Sequence, residues 1–323
     1  MITSEWPSKN HPEIVPFLVN EVQALRNAGV TVDVFSFHGK KNPINYLRAW
    51  FQMRKDYSLK TYDLIHAEWG QSGLLALPKN KPLVVTFRGS DLEGIVNKRG
   101  KYTISGKLLR LVSQFIATIA DQIIIVSESQ KKLLPSVPYT ILSVCLDTSV
   151  FRPMPKEIAR KQLNLPLEKS LVLFSSNPSR PEKRYSLAKA AVDLLGDDTR
   201  IIVTRNVPHD QMVLYYNACD VMVITSSHEG SPTVVFEALA CNLPIVSVDV
   251  GDVRSRIGKI KGCFISESDT PMEISKCIKS ALDDSCRLDS SSQMTEFNCQ
   301  KFCETMKKIY DDCVTVTNQQ KDI

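Results

Sequence analysis

The sequence lacks the features of exported, membrane-spanning and metal-binding proteins. It has no signal peptide and no run of about 18 apolar residues, since its longest candidate, 115–126, is broken by Asp121 and Gln122. Its nine cysteines are scattered without a Cys-x-x-Cys pair, so neither disulfides nor a zinc site is expected. There is no aspartate triad or histidine cluster. These absences predict a cytoplasmic protein that is not exported and needs no metal or other cofactor.

What is present indicates two α/β domains. The 323 residues suffice for two domains of about 150 residues each. Short apolar runs alternate with helical patterns, and the first half has expected strands at 30–37, 64–66, 83–87 and 123–126. This alternation predicts parallel sheets covered by helices. No internal repeat or low-complexity tract interrupts it.

The stretch 220–252 combines a strand, a polar loop, a helix and a second strand. The β-branched run 221–225 predicts a buried strand. Ser231 followed by Pro232 predicts a helix start, with serine as N-cap and proline at the first helical position. Residues 245–248 form the next expected strand, so the stretch is a βαβ unit.

The start of this helix is expected to bind a diphosphate. The backbone N–H groups of Thr233 and Val234 have no acceptor within the helix, and the helix dipole favours an anion there. Glu237, about one turn further on, can accept hydrogen bonds from ribose hydroxyls, and Glu229 can reach a sugar ring beyond the phosphates. Taken singly, each glutamate could equally be a solvated residue. Their combination with the loop favours a nucleotide-sugar site.

At these residues the chain resembles the retaining glycosyltransferases of family four, the group 1 transferases with the GT-B fold. The hallmark of that family is a pair of glutamates separated by seven residues, which here are Glu229 and Glu237. The surrounding EGSPTVVFEALACNLPIV matches the family pattern. Similar segments occur at 83–92, 145–154, 174–191 and 207–221, so the resemblance covers nearly the whole chain.

The resemblance implies an α/β protein of the GT-B class, in which two Rossmann-like domains with parallel sheets face each other across a cleft. It implies an acceptor-binding domain at 1–152 and an NDP-sugar donor-binding domain at 153–292. Residues 293–323 are expected to form a helix that packs back on the N-terminal domain. The implied reaction moves a sugar with retention of anomeric configuration and without a required metal.

The resemblance also assigns residues to the donor. It places Glu229 at the donor sugar and Glu237 at the ribose, and it makes Lys183 the lysine that clamps the diphosphate. The other donor-binding residues that it implies are Arg180, Arg184, Gly230, Ser231, Pro232, Thr233 and Val234. Fixed cations can stabilise a leaving diphosphate in place of a metal. Alternatively, the three cations form a solvated basic turn. Lys183 and Arg184 are expected to be the first residues of the helix that follows.

In the N-terminal half, LVVTFRGSDL resembles the active-site loop of the family, with Arg88 where many relatives have histidine. Arg88 is expected to add charge near the phosphates, as a catalytic residue together with Glu229, Lys183 and Asp91. Asp91 would orient the acceptor hydroxyl or Arg88, or would instead cap the following turn. His66 matches a family histidine on the acceptor side, and its alternative is a structural role.

The charge of the chain is concentrated in its N-terminal half. Residues 1–152 contain 19 Lys and Arg against 12 Asp and Glu, a net charge of +7, whereas the whole chain has +5. A basic half suits an anionic partner, and the inner membrane face, where lipid-linked acceptors reside, is the expected one. Residues 45–60 form either a basic amphipathic surface helix or an ordinary core-packing helix. No nucleic-acid partner is expected, because no such binding motif is present.

The leading interpretation is a retaining transferase that uses a UDP- or GDP-sugar to build a cell-surface polysaccharide or glycolipid. It would act in the cytoplasm, with peripheral contact to the inner membrane face. One alternative is a related enzyme such as a sugar-nucleotide hydrolase or phosphorylase. Another is a non-catalytic sugar-nucleotide-binding subunit. MITSEWPSKN predicts the end of a first strand and its loop, so that strand is either short or lacks its beginning.

Overall fold

The computed structural model describes residues 1–8, 14–39, 42–95, 102–284, 287–289 and 298–319, with side chains described up to residue 315. The chain forms two compact units. The N-terminal unit comprises Met1–Cys145 and Cys299–Ile323, and the C-terminal unit comprises Leu146–Asn298. The expected boundaries, after residues 152 and 292, lie a few residues from these points.

Each unit is built on one parallel sheet. The strands are β1 (Ile2–Thr3), β2 (Phe35–Ser36), β3 (Ile65–Glu68), β4 (Leu83–Phe87), β5 (Gln122–Ile125), β6 (Thr140–Ile141), β7 (Ser170–Phe174), β8 (Thr199–Val203), β9 (Val221–Ile224), β10 (Ile245–Ser247) and β11 (Phe264–Ile265). The N-terminal sheet has six strands in the order β2-β1-β3-β4-β5-β6, and the C-terminal sheet has five in the order β11-β10-β9-β7-β8. The prediction of two α/β units with parallel sheets is therefore confirmed.

The helices cover these sheets. They are α1 (Pro16–Asn27), α2 (Pro43–Asp56), α3 (Ser90–Glu93), α4 (Ile104–Ile119), α5 (Lys156–Gln162), α6 (Tyr185–Asp193), α7 (Met212–Ala218), α8 (Thr233–Ala240), α9 (Val253–Ile257), α10 (Pro271–Asp283) and α11 (Cys299–Gln319). Within the described ranges, none of them is both long enough and apolar enough to cross a bilayer.

Burial explains which sequence patterns predicted strands well. Every residue of β3, β4, β9 and β10 is buried. The last three appear in the sequence as mainly apolar runs, whereas β3 also buries His66 and Glu68. The strand expected at 30–37 is much shorter, because β2 lies at the sheet edge and its neighbour β1 offers only Ile2 and Thr3 for pairing. The first strand is thus short in the chain as given.

The last helix packs on the N-terminal unit. Phe302, Met306 and Ile309 of α11 are buried in a cluster with Leu25 of α1 and Val84 of β4. Their spacing of four and three residues places them on one helix face. The helix expected from residue 293 begins at Cys299, and residues 293–297 lie outside the described ranges.

Cys145 and Cys299 form a disulfide, with the two sulfur atoms 1.97 Å apart, so the expectation of no disulfide was wrong. The two residues lie where the chain leaves the N-terminal unit and where it returns, beside a parallel bridge between Leu146 and Asn298. They are 154 residues apart in the sequence, so only the topology brings them together. Cysteine usage therefore no longer supports a reducing compartment.

Candidate active site

The loop of the C-terminal unit that contains Glu229 follows β9 and is tied to the segment that follows β7. The Thr225 hydroxyl donates to the carbonyl oxygen of Lys183 at 2.9 Å, and the Ser227 N–H donates to the carbonyl of Glu182 at 2.8 Å. β7 and β9 are neighbours in the sheet, so both loops leave from the same carboxyl edge. This edge is where open α/β sheets bind ligands.

Lys183 and Glu229 meet at this edge. The lysine ammonium donates to the Oε1 atom of Glu229, and the two side chains are 14% and 15% exposed. The predicted clamp lysine and the predicted sugar-binding glutamate therefore lie side by side. A partly exposed pair of this kind can exchange its mutual contact for contact with a ligand.

Lys183 does not begin the α-helix, as the sequence analysis expected. It ends a short 3-10 turn, Pro181–Lys183, and α6 begins at Tyr185. Arg184 separates the two because its backbone is left-handed, with φ 49° and ψ 48°. A left-handed residue interrupts the helical hydrogen-bond ladder, since it turns its peptide groups away from the helix axis.

The three predicted cations of the clamp do not converge. Arg184 donates from Nε to the carbonyl of Thr225 at 2.5 Å and pairs with Asp269 at 2.6 Å. Arg180 is 59% exposed and pairs with Glu182 at 2.6 Å. Only Lys183 contacts Glu229. Arg184 instead fastens the end of β9, and Arg180 lies on a solvated turn.

The start of α8 differs by one residue from the prediction. The helix begins at Thr233 with Pro232 as N-cap, and no side chain caps it. The Ser231 hydroxyl, expected to be the cap, instead donates to Oδ2 of Asp252 at 2.9 Å. In the part of the chain that the structure describes, the N–H groups of Thr233 and Val234 donate to no protein acceptor.

Gly251 allows the loop after β10 to lie against the Glu229 loop. Its φ is +58°, and a Cβ atom there would lie 2.5 Å from the carbonyl oxygen of Gly230 and 2.7 Å from that of Glu229. The Asp252 N–H also donates to the Gly230 carbonyl at 3.1 Å. This close backbone approach requires glycine. It holds the Glu229–Gly230 backbone in place.

Glu237 is held by two side chains that the sequence analysis did not identify. Its Oε1 lies 2.9 Å from Nε2 of His209, and its Oε2 accepts from the Tyr216 hydroxyl at 2.6 Å. Burial, followed by the charge of Glu237, raises the pKa of Tyr216 well above its ordinary value, so the phenol is a donor. Both partners lie within 207–221, which resembles the family, but no spacing rule links them to Glu237.

Arg88 is buried among carboxylates of the N-terminal unit. Its Nε donates to Oε2 of Glu68 at 2.8 Å, its terminal nitrogens bind Glu21 of α1, and the side chain is 7% exposed. Burial raises the pKa of Glu21 to about 7, although the charge of Arg88 opposes the shift. The guanidinium thus has two protein carboxylates as partners, and its predicted contact with phosphate stays a prediction.

Asp91 organises the turn between β4 and α4. Its carboxylate accepts the N–H groups of Gly70 at 2.9 Å, Gly89 at 3.0 Å and Arg88 at 3.2 Å. Burial raises its pKa to about 6, and these backbone donors oppose the shift. It therefore orients the backbone of Arg88 rather than its guanidinium. The N-cap of α3 is Gly89, so the alternative that Asp91 is the cap was wrong.

His66 lies inside the same unit. Its Nδ1 is 2.7 Å from the Tyr310 hydroxyl and its Nε2 is 2.7 Å from Oγ1 of Thr86. The residue is 3% exposed, and burial lowers its pKa to about 4, so the ring is neutral at pH 7. Among the residues that the structure describes, no group of three or more His, Cys, Asp or Glu is arranged to hold a metal.

Comparison with known proteins identifies relatives for the chain. Residues 182–300, which include the Lys183–Glu229 pair and α8, match the family model described as glycosyl transferases group 1. The chain is 29% identical to the putative teichuronic acid biosynthesis glycosyltransferase TuaC of Bacillus subtilis, over 80% of this chain and 82% of the relative. It is 24% identical to a D-inositol 3-phosphate glycosyltransferase of Thermobispora bispora, over 77% and 69%.

Solved structures agree on the fold. The sucrose-phosphate synthase of Thermosynechococcus elongatus superposes with a TM-score of 0.81 at 16% identity, over 93% of each chain. The Anabaena protein HepE, in complex with UDP and glucose, superposes with a TM-score of 0.68 at 14% identity, over 90% of this chain and 88% of that one. Matches at such low identity bear on the fold alone. Together with the family match, they show that the chain has the GT-B fold and that residues 182–300 match the group 1 glycosyltransferases.

Proposed function

We propose that the chain is a retaining, metal-independent transferase that moves a sugar from a nucleoside diphosphate sugar to a glycan or lipid-linked acceptor. The observation that carries this proposal is the contact between Lys183 and Glu229 at the carboxyl edge of the C-terminal sheet. Both side chains keep some exposure. A cation for the diphosphate and a carboxylate for the sugar are therefore available within one small region.

The donor is expected to bind the C-terminal unit along the start of α8. The amides of Thr233 and Val234 face the diphosphate, and the helix dipole favours its charge. Gly230, Ser231 and Pro232 form the turn that leads to those amides. Glu237 binds the ribose: a carboxylate can accept about four hydrogen bonds, so the contacts with His209 and Tyr216 leave room for ribose hydroxyls.

The proposed chemistry needs a cation at the leaving group. As the bond between the sugar C1 and the diphosphate oxygen breaks, negative charge grows on the diphosphate, and Lys183 moves from Glu229 to stabilise it. The acceptor hydroxyl forms the new C1–O bond on the face that the diphosphate leaves. Its proton passes to the departing diphosphate oxygen. A trapped covalent sugar–enzyme adduct would contradict this step, since it requires a protein nucleophile.

The three N-terminal residues are proposed to act at the acceptor side through the backbone. Asp91 fixes the N–H groups of Gly89 and Arg88, and Arg88 anchors the same turn to two carboxylates. His66 supports β4 through Thr86. Each holds the position of the Gly89–Ser90 turn, which presents its backbone at the carboxyl edge of the N-terminal sheet.

The biological setting of the proposal follows from the relatives. TuaC is named for teichuronic acid biosynthesis, and HepE structures contain UDP and UDP-glucose. We therefore propose a UDP- or GDP-sugar donor and a product of the cell envelope, made at the cytoplasmic side of the membrane by a peripheral enzyme. The proposal includes no nucleic-acid partner.

The first experiment is thermal unfolding with UDP, GDP, ADP and CDP, each with and without EDTA. At about one hundred times Kd, a nucleotide that binds only the folded protein adds about 2.7 kcal/mol of stability, enough to raise Tm by several degrees. One nucleotide that stabilises equally with EDTA supports metal-independent donor binding. If none stabilises the protein, the donor site is wrong.

The stabilising nucleotide then selects the sugar donors for transfer assays. Transfer confirms the enzyme, and sugar-nucleotide hydrolysis without an acceptor product would indicate a hydrolase instead. Nucleotide binding without turnover of any donor would favour a non-catalytic sugar-nucleotide-binding subunit.

A further inference from the structure

Helix α4 of the N-terminal unit leaves a row of apolar side chains uncovered. Ile104, Leu108, Leu111 and Phe115 are 89%, 56%, 64% and 51% exposed. Because they are four, three and four residues apart, they share one face of the helix. The opposite face is buried through residues such as Ile116. Contiguous exposed apolar side chains on a soluble domain mark an interaction surface rather than ordinary surface.

Helix α2 has the same two-sided character. It packs through Ala49 and Met53, yet Ile44, Leu47 and Phe51 are 57%, 58% and 61% exposed. Both interpretations of the 45–60 segment therefore hold in part, because one side packs in the core and the other remains apolar and exposed. The seven uncovered side chains of α2 and α4 are called the apolar face below.

The two helices line one cavity of about 550 Å³. Pro43 and Tyr46 of α2 and Leu108, Leu109 and Val112 of α4 supply much of its lining. The cavity lies within the range of small-ligand pockets. Leu108 belongs both to the apolar face and to the lining of the cavity, so the α4 part of the face adjoins the cavity.

The rest of the cavity lies at the functional edge of the N-terminal sheet. Ser4, Gln71 and Ser90 line it, and they follow β1, β3 and β4 respectively. The carboxyl ends of parallel strands are where α/β sheets bind ligands. The Oε1 atom of Gln71 is buried and has no hydrogen-bond partner among the described residues. The cavity therefore offers apolar walls together with a polar end that can meet a ligand hydroxyl.

Charge identifies what covers the apolar face. Arg48, Arg54, Lys55, Lys107 and Arg110 lie on α2 and α4, which contain only one acidic residue, Asp56. Basic residues beside exposed apolar ones are typical of helices that lie in the interface of an anionic bilayer. A second copy of the chain would bring two such positive surfaces together, so charge disfavours self-association.

We infer that the apolar face docks on an anionic lipid bilayer and that the adjoining cavity takes the hydrocarbon chain and head-group end of an amphiphilic acceptor from that bilayer. This inference rests on the proposed transferase function and narrows the acceptor to a lipid. The exposed basic side chains of Arg48, Lys55 and Lys107 contact head groups. The apolar side chains that enter the acyl boundary are those of Leu47, Phe51, Leu111 and Phe115. The acceptor hydroxyl is then presented near Gln71 and Ser90.

Vesicle flotation tests the docking surface. The wild-type protein is expected to float with vesicles of phosphatidylcholine and phosphatidylglycerol, and less with phosphatidylcholine alone or at high salt. Leu111→Gln/Phe115→Gln should weaken binding at least about tenfold. The matched control is Ile158→Gln/Leu194→Gln, which changes two exposed residues of the C-terminal unit and should bind as the wild type does.

Decyl phosphate below its critical micelle concentration tests the cavity. It is expected to bind the wild-type protein and Leu194→Glu, and to bind Leu108→Glu at least about tenfold more weakly. Nucleotide stabilisation, measured on the same preparations, should be the same in all three. The two measurements separate the two proposals. A loss of nucleotide binding would contradict the donor site of the proposed function, whereas a loss of lipid binding alone would bear only on the apolar face and the cavity.

Four results would overturn the inference. The wild-type protein could fail to bind anionic vesicles, or the Leu111/Phe115 variant could bind them as well as the control does. Sedimentation could show a dimer that the same variant converts to a monomer, which would mean that a second copy covers the face. Decyl phosphate could bind Leu108→Glu as tightly as wild type, which would remove the lipid from the cavity.

Discussion

Each unit of the protein brings a cation against glutamate, but the two arrangements differ in burial. In the C-terminal unit, Lys183 meets Glu229 with both side chains 14–15% exposed. In the N-terminal unit, Arg88 lies between Glu21 and Glu68, and the three side chains are 7%, 2% and 0% exposed. A ligand can displace the first contact, whereas the second offers little exposed surface at which a ligand could replace a partner.

Burial predicts which of the two arrangements holds the fold and which is open to a ligand. A buried ion pair gains little net stability over apolar packing, but removal of one partner leaves an uncompensated charge and is costly. A partly exposed pair loses less when it is broken, because water solvates the partner that remains. Substitutions in the N-terminal cluster should therefore affect unfolding, and those in the C-terminal pair should affect catalysis.

The largest expected effect is on stability at Arg88. Arg88→Met leaves Glu21 and Glu68 without their shared cation, so we expect the free energy of unfolding to fall by about 3–5 kcal/mol. Urea denaturation measures this. The control is Arg254→Met, which removes an exposed pair with Asp249 and should cost less than about 1 kcal/mol. Equal losses of unfolding free energy in the two variants would show that burial of the cation does not determine its effect on stability.

The next effect is on the reaction at Lys183. Lys183→Ala should slow transfer about 10²–10³-fold, as expected for the loss of one stabiliser of transition-state charge, and should change stability by no more than about 1 kcal/mol. Steady-state kinetics with the donor chosen by nucleotide screening measures the rate. Lys189→Ala on α6, which breaks an exposed pair with Asp193, is the matched control. A rate equal to that of the control would exclude Lys183 from the chemistry.

The sequence predicts the fold well where burial is strongest. β4, β9 and β10 are buried throughout, so their mainly apolar runs locate them to within a residue or two. Edge strand β2 is much shorter than its pattern suggests, because pairing depends on the length of β1. The disulfide joins residues 154 positions apart, a proximity that only tertiary structure creates.

For the candidate site, too, the sequence predicts local elements but not the contacts between elements. Local pattern identifies Glu229, Glu237 and the start of α8, because these residues lie in one βαβ unit. It does not reveal that His209 and Tyr216 hold Glu237, since neighbouring elements bring them together. Nor does it reveal that Arg88 lies between Glu21 and Glu68, because three separate elements contribute to that cluster.

The pH dependence of stability should report the buried cluster. Burial raises the folded-state pKa of Glu21 from 4.5 to about 7, so between these values the folded protein binds more protons than the unfolded chain, and this residue makes stability fall as pH rises. His66, with its pKa lowered from 6.5 to about 4, makes stability rise with pH in an overlapping range. Both the wild type and Glu21→Gln contain His66, so its contribution cancels in the difference between their free energies of unfolding.

The stability of the wild type relative to Glu21→Gln should therefore decrease as pH rises from about 4.5 to 7. Urea denaturation at a series of pH values measures it. Gln23→Ala on the same helix α1 is the control, and its difference from wild type should stay constant over the same range, because it removes no titratable group. A constant difference for Glu21→Gln would show that Glu21 stays ionised in the folded protein.

The smallest expected effect concerns a neutral partner in the C-terminal unit. Tyr216→Phe removes the hydroxyl that donates to Glu237 but leaves His209 in place, so the carboxylate is less firmly oriented toward ribose. We expect Kd for the nucleotide to rise roughly fivefold, equivalent to about 1 kcal/mol for one hydrogen bond. Tyr215→Phe on the same helix is the control, and titration calorimetry measures both. Equal affinities would mean that Glu237 does not depend on Tyr216. A fall in the free energy of unfolding as large as that of Arg88→Met would mean that the Glu237 carboxylate, too, stabilises the fold of its unit.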